Sequence, residues 1–285
     1  MEESICWLIG IVILIYSGSF ERVTVVLAEV PMPYATVRGI RLYYQIRGRG
    51  EPLVLLHDGL GCTKSFARQV TEFSKHFRVI CYDRRGYGRS DHIAALRENW
   101  LNESVEDLSH FLHRLNVKEA HLSGVCVGGA IALLFAAENP ARVRSIAVAG
   151  TCCYGEEDMA PKALKLYPSL ENMPSDWLLE LSEYHGTRYG KWLYRIFYEA
   201  IREENGYPFK GYDLRPTLSR IKSPVMVIYG DRDQLFDLEQ ALTMYRHLDR
   251  SNLCIIPNCG HLPNQQRPED FNREVVGFIL DHQNQ

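Results

Sequence analysis

The sequence lacks the features that mark several classes of protein. It has no block of basic residues, no acidic tail, no internal repeat and no low-complexity segment. Its 32 basic and 35 acidic side chains are mixed along the chain and give a net charge of −3. We therefore expect no nucleic-acid partner and no strongly charged partner. The 285 residues are enough for one large α/β domain with a full core.

The sequence also lacks the cysteine spacing of a zinc site. Its eight cysteines include no C-x-x-C pair and no cluster with histidine, and we predict neither a metal nor a cofactor. Cys81 and Cys254 fall in predicted buried strands, and the adjacent Cys152 and Cys153 would bridge only with strain. We interpret the cysteines as mostly reduced, which favours a cytoplasmic location.

No apolar run reaches the length of about 20 residues that a membrane-spanning helix needs. Residues 5–16 are nearly all apolar, and Val26-Leu27-Ala28 resembles a cleavage site, as in a signal peptide. However, Glu2 and Glu3 occupy the start, where an export signal carries positive charge. For residues 1–28, a cleaved signal, a membrane anchor and a simple extension all stay open. Any membrane contact is expected through residues 5–20, and a signal or anchor would make the protein secreted or membrane-bound.

A possible nucleophile stands in the pentapeptide Gly124-Val125-Cys126-Val127-Gly128, between an apolar stretch and a helical run. The pattern is Gly-x-nucleophile-x-Gly, with cysteine in place of the usual serine. Its glycines let the backbones of a sharp strand-to-helix turn approach closely, and the helix N-terminus stabilises negative charge. A single pentapeptide occurs by chance, and a lone cysteine is more often a buried apolar side chain. The interpretation therefore depends on the other motifs.

Four further strand-like runs end in polar motifs. They are 52–56 before His57-Asp58-Gly59-Leu60-Gly61, 77–82 before Asp83–Ser90, 225–229 before Gly230-Asp231-Arg232-Asp233, and 253–256 before Pro257–His261. Together with the pentapeptide, this set resembles the α/β-hydrolase family, from Val37 to the C-terminus apart from a variable middle. The closest likeness is to its cap-bearing esterase and lactonase branch. Nucleophile, acid and histidine follow the chain order of that fold.

The alternation of strands and helices predicts a mostly parallel sheet with helices on both faces. Residues 34–153 and 217–285 would form this core, opened by a hairpin that turns at Gly39. Further helices are predicted over 63–75, with Thr63 as a cap, and over 104–115, with a capping box at Ser104.

Residues 154–216 contain no strand-like run and are rich in large apolar side chains. The resemblance implies that they form a helical cap over the site. Most of these side chains would pack the cap onto the core, and some would face the nucleophile. We therefore expect a pocket for a small uncharged or apolar acyl substrate. The residues concerned are Tyr167, Met173, Trp177, Leu178, Tyr184, Tyr189, Trp192, Tyr194, Phe197 and Tyr198.

The resemblance implies a role for each catalytic residue. Cys126 would attack a carbonyl carbon, His261 would take and return the proton, and Asp233 would orient His261. Asp231 is the alternative acid, and its other role would be that of a turn residue. The N–H groups of Val127 and Gly59 would form the oxyanion hole.

Three features beside the site receive other roles. Asp58 replaces the glycine that usually follows His57 in the family, and we expect it to turn away and cap its own loop. Cys62 is interpreted as a spacer rather than a second reactive thiol. The Asp83–Ser90 stretch is interpreted as structural.

The function predicted is hydrolysis of ester, lactone or thioester bonds through a Cys-His-Asp triad and a thioester acyl-enzyme. Dehalogenase and epoxide-hydrolase chemistry in this fold needs an aspartate nucleophile, which the pentapeptide lacks. Two alternatives stay open: acyl transfer on the same triad, and a ligand-binding or receptor-like protein with little turnover.

Overall fold

A computed structural model describes residues 33–97, 99–202 and 211–283, so the predicted N-terminal segment 1–28 lies outside the described residues. The strands are β1 (Tyr34–Val37), β2 (Ile40–Arg47), β3 (Pro52–Leu56), β4 (Arg78–Tyr82), β5 (Ala120–Val125), β6 (Val143–Ala149), β7 (Val225–Gly230) and β8 (Ser251–Ile256). The helices are α1 (Ala67–Phe73), α2 (Trp100–Arg114), α3 (Val127–Glu138), α4 (Met159–Leu166), α5 (Ser175–His185), α6 (Thr187–Arg202), α7 (Arg215–Leu218), α8 (Leu238–His247), α9 (Pro263–Gln266) and α10 (Pro268–Asp281).

The eight strands form one sheet in the order β1-β2-β4-β3-β5-β6-β7-β8. β1 and β2 form the predicted antiparallel hairpin, β2 pairs antiparallel with β4, and the remaining neighbours are parallel. The hairpin turns through Arg38 and Gly39, which both have positive φ. The predicted fold class is therefore confirmed.

Both faces of the sheet are covered because successive side chains of a strand point to opposite faces. In β3, Val54 and Leu56 pack in the core that contains residues of α2, α3 and α8. Leu53 and Leu55 pack in a second core with residues of α1 and α10. The continuous apolar strands in the sequence thus reflect burial on two sides.

Two helix starts differ from the prediction. The first helical segment after β3 is a 3-10 helix at Thr63–Phe66, which precedes α1. Its N-cap is Cys62, whose Sγ accepts the amide of Lys64 at 3.4 Å. Thr63 is not the cap, because its own amide donates to the buried carboxylate of Asp83 at 2.6 Å. Because Asp83 lies 20 residues away along the chain, no local sequence pattern indicates this hydrogen bond.

The capping box at Ser104 is also wrong. Helix α2 begins four residues earlier, at Trp100, and the Ser104 hydroxyl donates to the Trp100 carbonyl at 2.8 Å inside the helix. The extra turn contains Trp100 and Leu101 beside two polar residues, and Leu101 packs against the core four residues before Val105. A further difference concerns Cys254, which is only half-buried because β8 is an edge strand.

The chain between β6 and β7, residues 154–216, is called the helical insertion below. Its described residues contain α4, α5, α6 and the start of α7, and their extended pairing is limited to a bridge between Tyr154 and Asp213. Across the described ranges, no helix combines the length and apolar character that crossing a membrane requires.

Candidate active site

Cys126 lies at the sharp turn between β5 and α3. Its backbone has φ 53° and ψ −119°, in a region that costs free energy for a residue with a side chain. The turn is held by a 2.8 Å hydrogen bond from the Cys126 amide to the Ala149 carbonyl. A Cβ atom at Gly124 would overlap the carbonyl of Gly128, and a Cβ atom at Gly128 would overlap the carbonyl of Leu56. Both glycines are therefore required by close approach of the backbone.

His261 and Asp233 are brought together from the loops that follow β8 and β7. Nδ1 of His261 lies 2.9 Å from Oδ2 of Asp233, whose side chain is 1% exposed. The other carboxylate oxygen accepts the amides of Leu235 and Phe236 at 2.9 and 3.1 Å. Both oxygens thus have partners, and the carboxylate is fixed in the orientation that faces the imidazole.

Asp231 has a different environment. It is exposed, and its Oδ1 accepts the amide of Cys259 at 3.1 Å. This bond ties the loop after β7 to the loop after β8. The structure therefore places Asp233 against His261, whereas Asp231 connects the loops after β7 and β8.

The charges around His261 favour its protonated form. Burial lowers the pKa of His261, but the negative charge of Cys126, the hydrogen bond to Asp233 and the charge of Asp233 outweigh it and raise the pKa to about 10. No well-aligned hydrogen bond to Nε2 occurs among the described residues. The interaction with Cys126 is therefore mainly electrostatic in this state. A thiolate at Cys126 and an imidazolium at His261 stabilise each other.

Val127 and Gly59 border the same cavity as Cys126 and His261. Val127 is the first residue of α3, so its amide has no acceptor within the helix. Asp58 caps its loop as expected, because its Oδ1 accepts the Leu60 amide at 3.0 Å. Asp58 nevertheless also borders the cavity.

Buried polar groups hold the loop after β3. The amide of Arg84 donates to Nε2 of His57 at 3.1 Å, so the proton of this neutral ring is on Nδ1, which lies 2.9 Å from the Asp58 carbonyl. The guanidinium of Arg84 donates to the same carbonyl at 2.7 Å. Burial lowers the pKa of His57, which keeps the ring neutral.

A second histidine connects the helical insertion to this loop. His185, at the end of α5, accepts the Gly88 amide on Nδ1 at 2.9 Å and donates from Nε2 to the Leu60 carbonyl at 2.8 Å. It is 3% exposed, and burial lowers its pKa. Sequence analysis missed His185, because its partners lie far away along the chain and no local motif marks it.

Two other thiols near the site are too buried to ionise readily. The seven cysteines of the described residues are free. Burial raises the pKa of Cys62 to about 12, consistent with its interpretation as a spacer. Cys152 lines the same cavity as Cys126, but burial raises its pKa well above the usual range. Both thiols are therefore protonated at neutral pH.

The cavity above Cys126 has a volume of about 440 Å³. Its walls are mostly apolar and aromatic, and the helical insertion supplies many of them. We expected only some of the ten large side chains of the insertion to face the nucleophile, and six of them line the cavity. The other four are Leu178, Tyr189, Trp192 and Tyr198; Tyr189, for example, stacks on His92. The lining side chains from the insertion include Tyr167, Met173, Trp177, Leu181, Tyr194 and Phe197.

Comparisons with known proteins agree with this architecture. The model of the Alpha/beta hydrolase family matches residues 53–274. A 2-hydroxy-6-oxononadienedioate/2-hydroxy-6-oxononatrienedioate hydrolase of Burkholderia vietnamiensis is 31% identical over 264 residues, 84% of this chain and 91% of that protein. The 3-oxoadipate enol-lactonase 1 of Acinetobacter baylyi is 27% identical over 261 residues, 85% of this chain and 94% of that protein. The crystal structure of the enol-lactonase from Burkholderia xenovorans superposes with a TM-score of 0.70 at 25% identity, covering 87% of this chain and all of that one.

Proposed function

The chain belongs to the Alpha/beta hydrolase family, and we propose that it hydrolyses carboxylic ester, lactone or thioester bonds through Cys126, His261 and Asp233. The observation that carries the proposal is the buried His261–Asp233 pair, whose imidazole has a pKa of about 10 and interacts with the thiol at the strained turn. An imidazolium stabilises a neighbouring thiolate, which is the form of cysteine that attacks a carbonyl carbon.

The reaction has two halves. The Cys126 thiolate attacks the carbonyl carbon, and the carbonyl electron pair moves onto oxygen to form a tetrahedral oxyanion. When the oxyanion collapses, the bond to the leaving group breaks, and His261 gives the leaving group its proton. Water then attacks the thioester, His261 takes a proton from this water, and the acid is released with regeneration of the thiolate.

The developing oxyanion needs donors that are in place before the reaction. The amides of Val127 and Gly59 are proposed for this role, because both residues border the cavity beside Cys126. Removal of one such donor in a hydrolase costs about 10²–10³-fold in kcat.

The thiol nucleophile favours particular substrates. A thiolate is a better leaving group than the anion of an amine, so the tetrahedral adduct of an amide tends to expel the thiolate again. Esters, lactones and thioesters with good leaving groups are therefore the expected substrate class.

Intact-protein mass spectrometry during hydrolysis of p-nitrophenyl acetate tests the proposal. The wild-type protein is expected to release nitrophenol and to carry one acetyl group on Cys126, and Cys126→Ala is expected to lose both. Cys152→Ala is the matched control, because it removes a protonated thiol from the same cavity and should keep both signals.

Retained turnover in folded Cys126→Ala would refute thiol catalysis. Absence of both nitrophenol and adduct in the wild-type protein would favour the ligand-binding alternative. Acyl transfer is distinguished by adding acceptor alcohols, which would divert the acetyl group from water into a new ester.

His185 is expected to position the loop after β3, which carries the proposed oxyanion donor Gly59, without contacting the substrate itself. In His185→Ala the Leu60 carbonyl and the Gly88 amide lose their buried partner, and we expect kcat for p-nitrophenyl acetate to fall about tenfold with little change in KM. His185→Gln keeps one donor and one acceptor and should restore most of kcat. A purely structural role would instead lower the melting temperature of His185→Ala while leaving kcat of the folded protein unchanged.

A further inference from the structure

The charged residues in the lining of the cavity above Cys126 bear on the substrates that it can bind. Within the described part of the chain, its lining contains no lysine and no arginine. It does contain two acidic residues, Asp58 and Glu180. Asp58 is half-buried beside Gly59, whereas Glu180 is exposed.

Both carboxylates act on Tyr184, which also lines the cavity. The Tyr184 hydroxyl donates to Oε1 of Glu180 at 2.7 Å. Burial raises the pKa of Tyr184, and the negative charges of Glu180 and Asp58 raise it further. Asp58 also acts on Tyr167. The two acidic groups therefore impose a negative potential on the same aromatic walls.

The Asp58 charge is fixed in this position. Oδ1 accepts the neutral Leu60 amide, which holds the side chain in its loop without neutralising it. The nearby guanidinium of Arg84 donates to the backbone carbonyl of Asp58. Arg84 is 3% exposed and is not part of the cavity lining, so its charge does not face the cavity.

We propose that the cavity excludes anionic substrates, that Asp58 is the residue that determines this specificity, and that the substrates are esters, lactones or thioesters without a carboxylate. This inference rests on the proposed function, because it takes the cavity as the substrate site. A substrate carboxylate would lose its water among apolar and aromatic walls and would be repelled by Asp58. The imidazolium of His261 also borders the cavity, but it is already paired with the carboxylate of Asp233. A built-in repulsion of this kind is an effective way to reject one class of ligand.

The test uses a pair of ligands that differ in charge but hardly in shape, 4-phenylbutyramide and 4-phenylbutyrate. Their binding to the Cys126→Ala protein is measured by quenching of tryptophan fluorescence, because Trp100 and Trp177 line the cavity. We expect the amide to bind at least about tenfold more tightly than the carboxylate, the order of preference that desolvation and charge repulsion produce.

Adding Asp58→Asn should reduce this preference several-fold, because asparagine keeps an acceptor for the Leu60 amide but carries no charge. Glu180→Gln should have a smaller effect, since its exposed charge is screened by solvent and salt. Glu183→Gln is the matched control: it removes an exposed charge from the same helix at a residue outside the cavity lining, and the preference should not change.

Equal binding of the two ligands would overturn the inference, and so would an unchanged preference in Asp58→Asn. Failure of the amide to bind at millimolar concentration would also overturn it, because the cavity would then not accept uncharged ligands. Failure of the proposed function is distinguishable, since these measurements do not need Cys126. Selective binding without any Cys126 acylation would refute the catalytic proposal alone.

Discussion

Asp233→Asn is expected to lower kcat/KM for p-nitrophenyl acetate by about 10³-fold or more, whereas Asp231→Asn leaves it unchanged. Asp233 is the carboxylate that faces Nδ1 of His261, and its other oxygen is fixed by two backbone amides. Asparagine in its place removes the charge that stabilises the imidazolium and also permits the wrong tautomer of His261. Steady-state kinetics of the two variants against the wild-type protein would measure the difference.

The same pair of variants can also be compared by the pKa of His261, which does not depend on turnover. The pKa of His261 is about 10 because the charges of Cys126 and Asp233 outweigh burial. With Asp233→Asn this pKa should fall, so the imidazolium is lost at a lower pH than in the wild-type protein. An NMR titration of the His261 ring measures the pKa directly. The assignment would be reversed if Asp231→Asn, and not Asp233→Asn, lowered both activity and the pKa.

Gly128→Ala is expected to destabilise the folded protein by about 3 kcal/mol or more, in the range of severe overpacking. A Cβ atom at this position would overlap the carbonyl oxygen of Leu56 at the end of β3. The backbones of Leu56 and Gly128 cannot move apart freely. Leu56 ends β3, which pairs with β5 in the middle of the sheet, and β5 leads through Cys126 directly into α3. For a domain of this size the melting temperature should fall by roughly 10 °C.

Gly277→Ala is the matched control for this prediction. Gly277 is an exposed residue of α10, and a Cβ atom there would meet nothing within 4 Å. Since alanine is favoured over glycine within a helix by about 1 kcal/mol, this variant should be neutral or slightly more stable. Equal melting temperatures for the two variants would show that the turn at Cys126 tolerates a side chain at residue 128.

Much of the fold could be predicted from local patterns. The runs at 52–56 and 225–229 are continuous and apolar because both faces of their strands are buried, and the structure has strands there. The fold class was predicted from the alternation of strands and helices and from the resemblance of the motifs after these strands to those of the α/β-hydrolase family. The cap at Thr63 and the helix start at Ser104 were wrong, since Sγ of Cys62 caps the first helical segment and Leu101 extends the core-facing side of α2 by one turn.

The sequence by itself determined the order of strands and motifs, and with them the positions of Cys126, Asp233 and His261 in the chain. Only the tertiary structure showed that His261 lies against Asp233 while Asp231 braces a loop. It alone connected His185 to Leu60, 125 residues away, and placed the Asp58 charge at the cavity. The physical reason is that periodicity and turn chemistry act between neighbours in the chain, whereas hydrogen-bond partners and cavity walls are chosen by packing between distant segments.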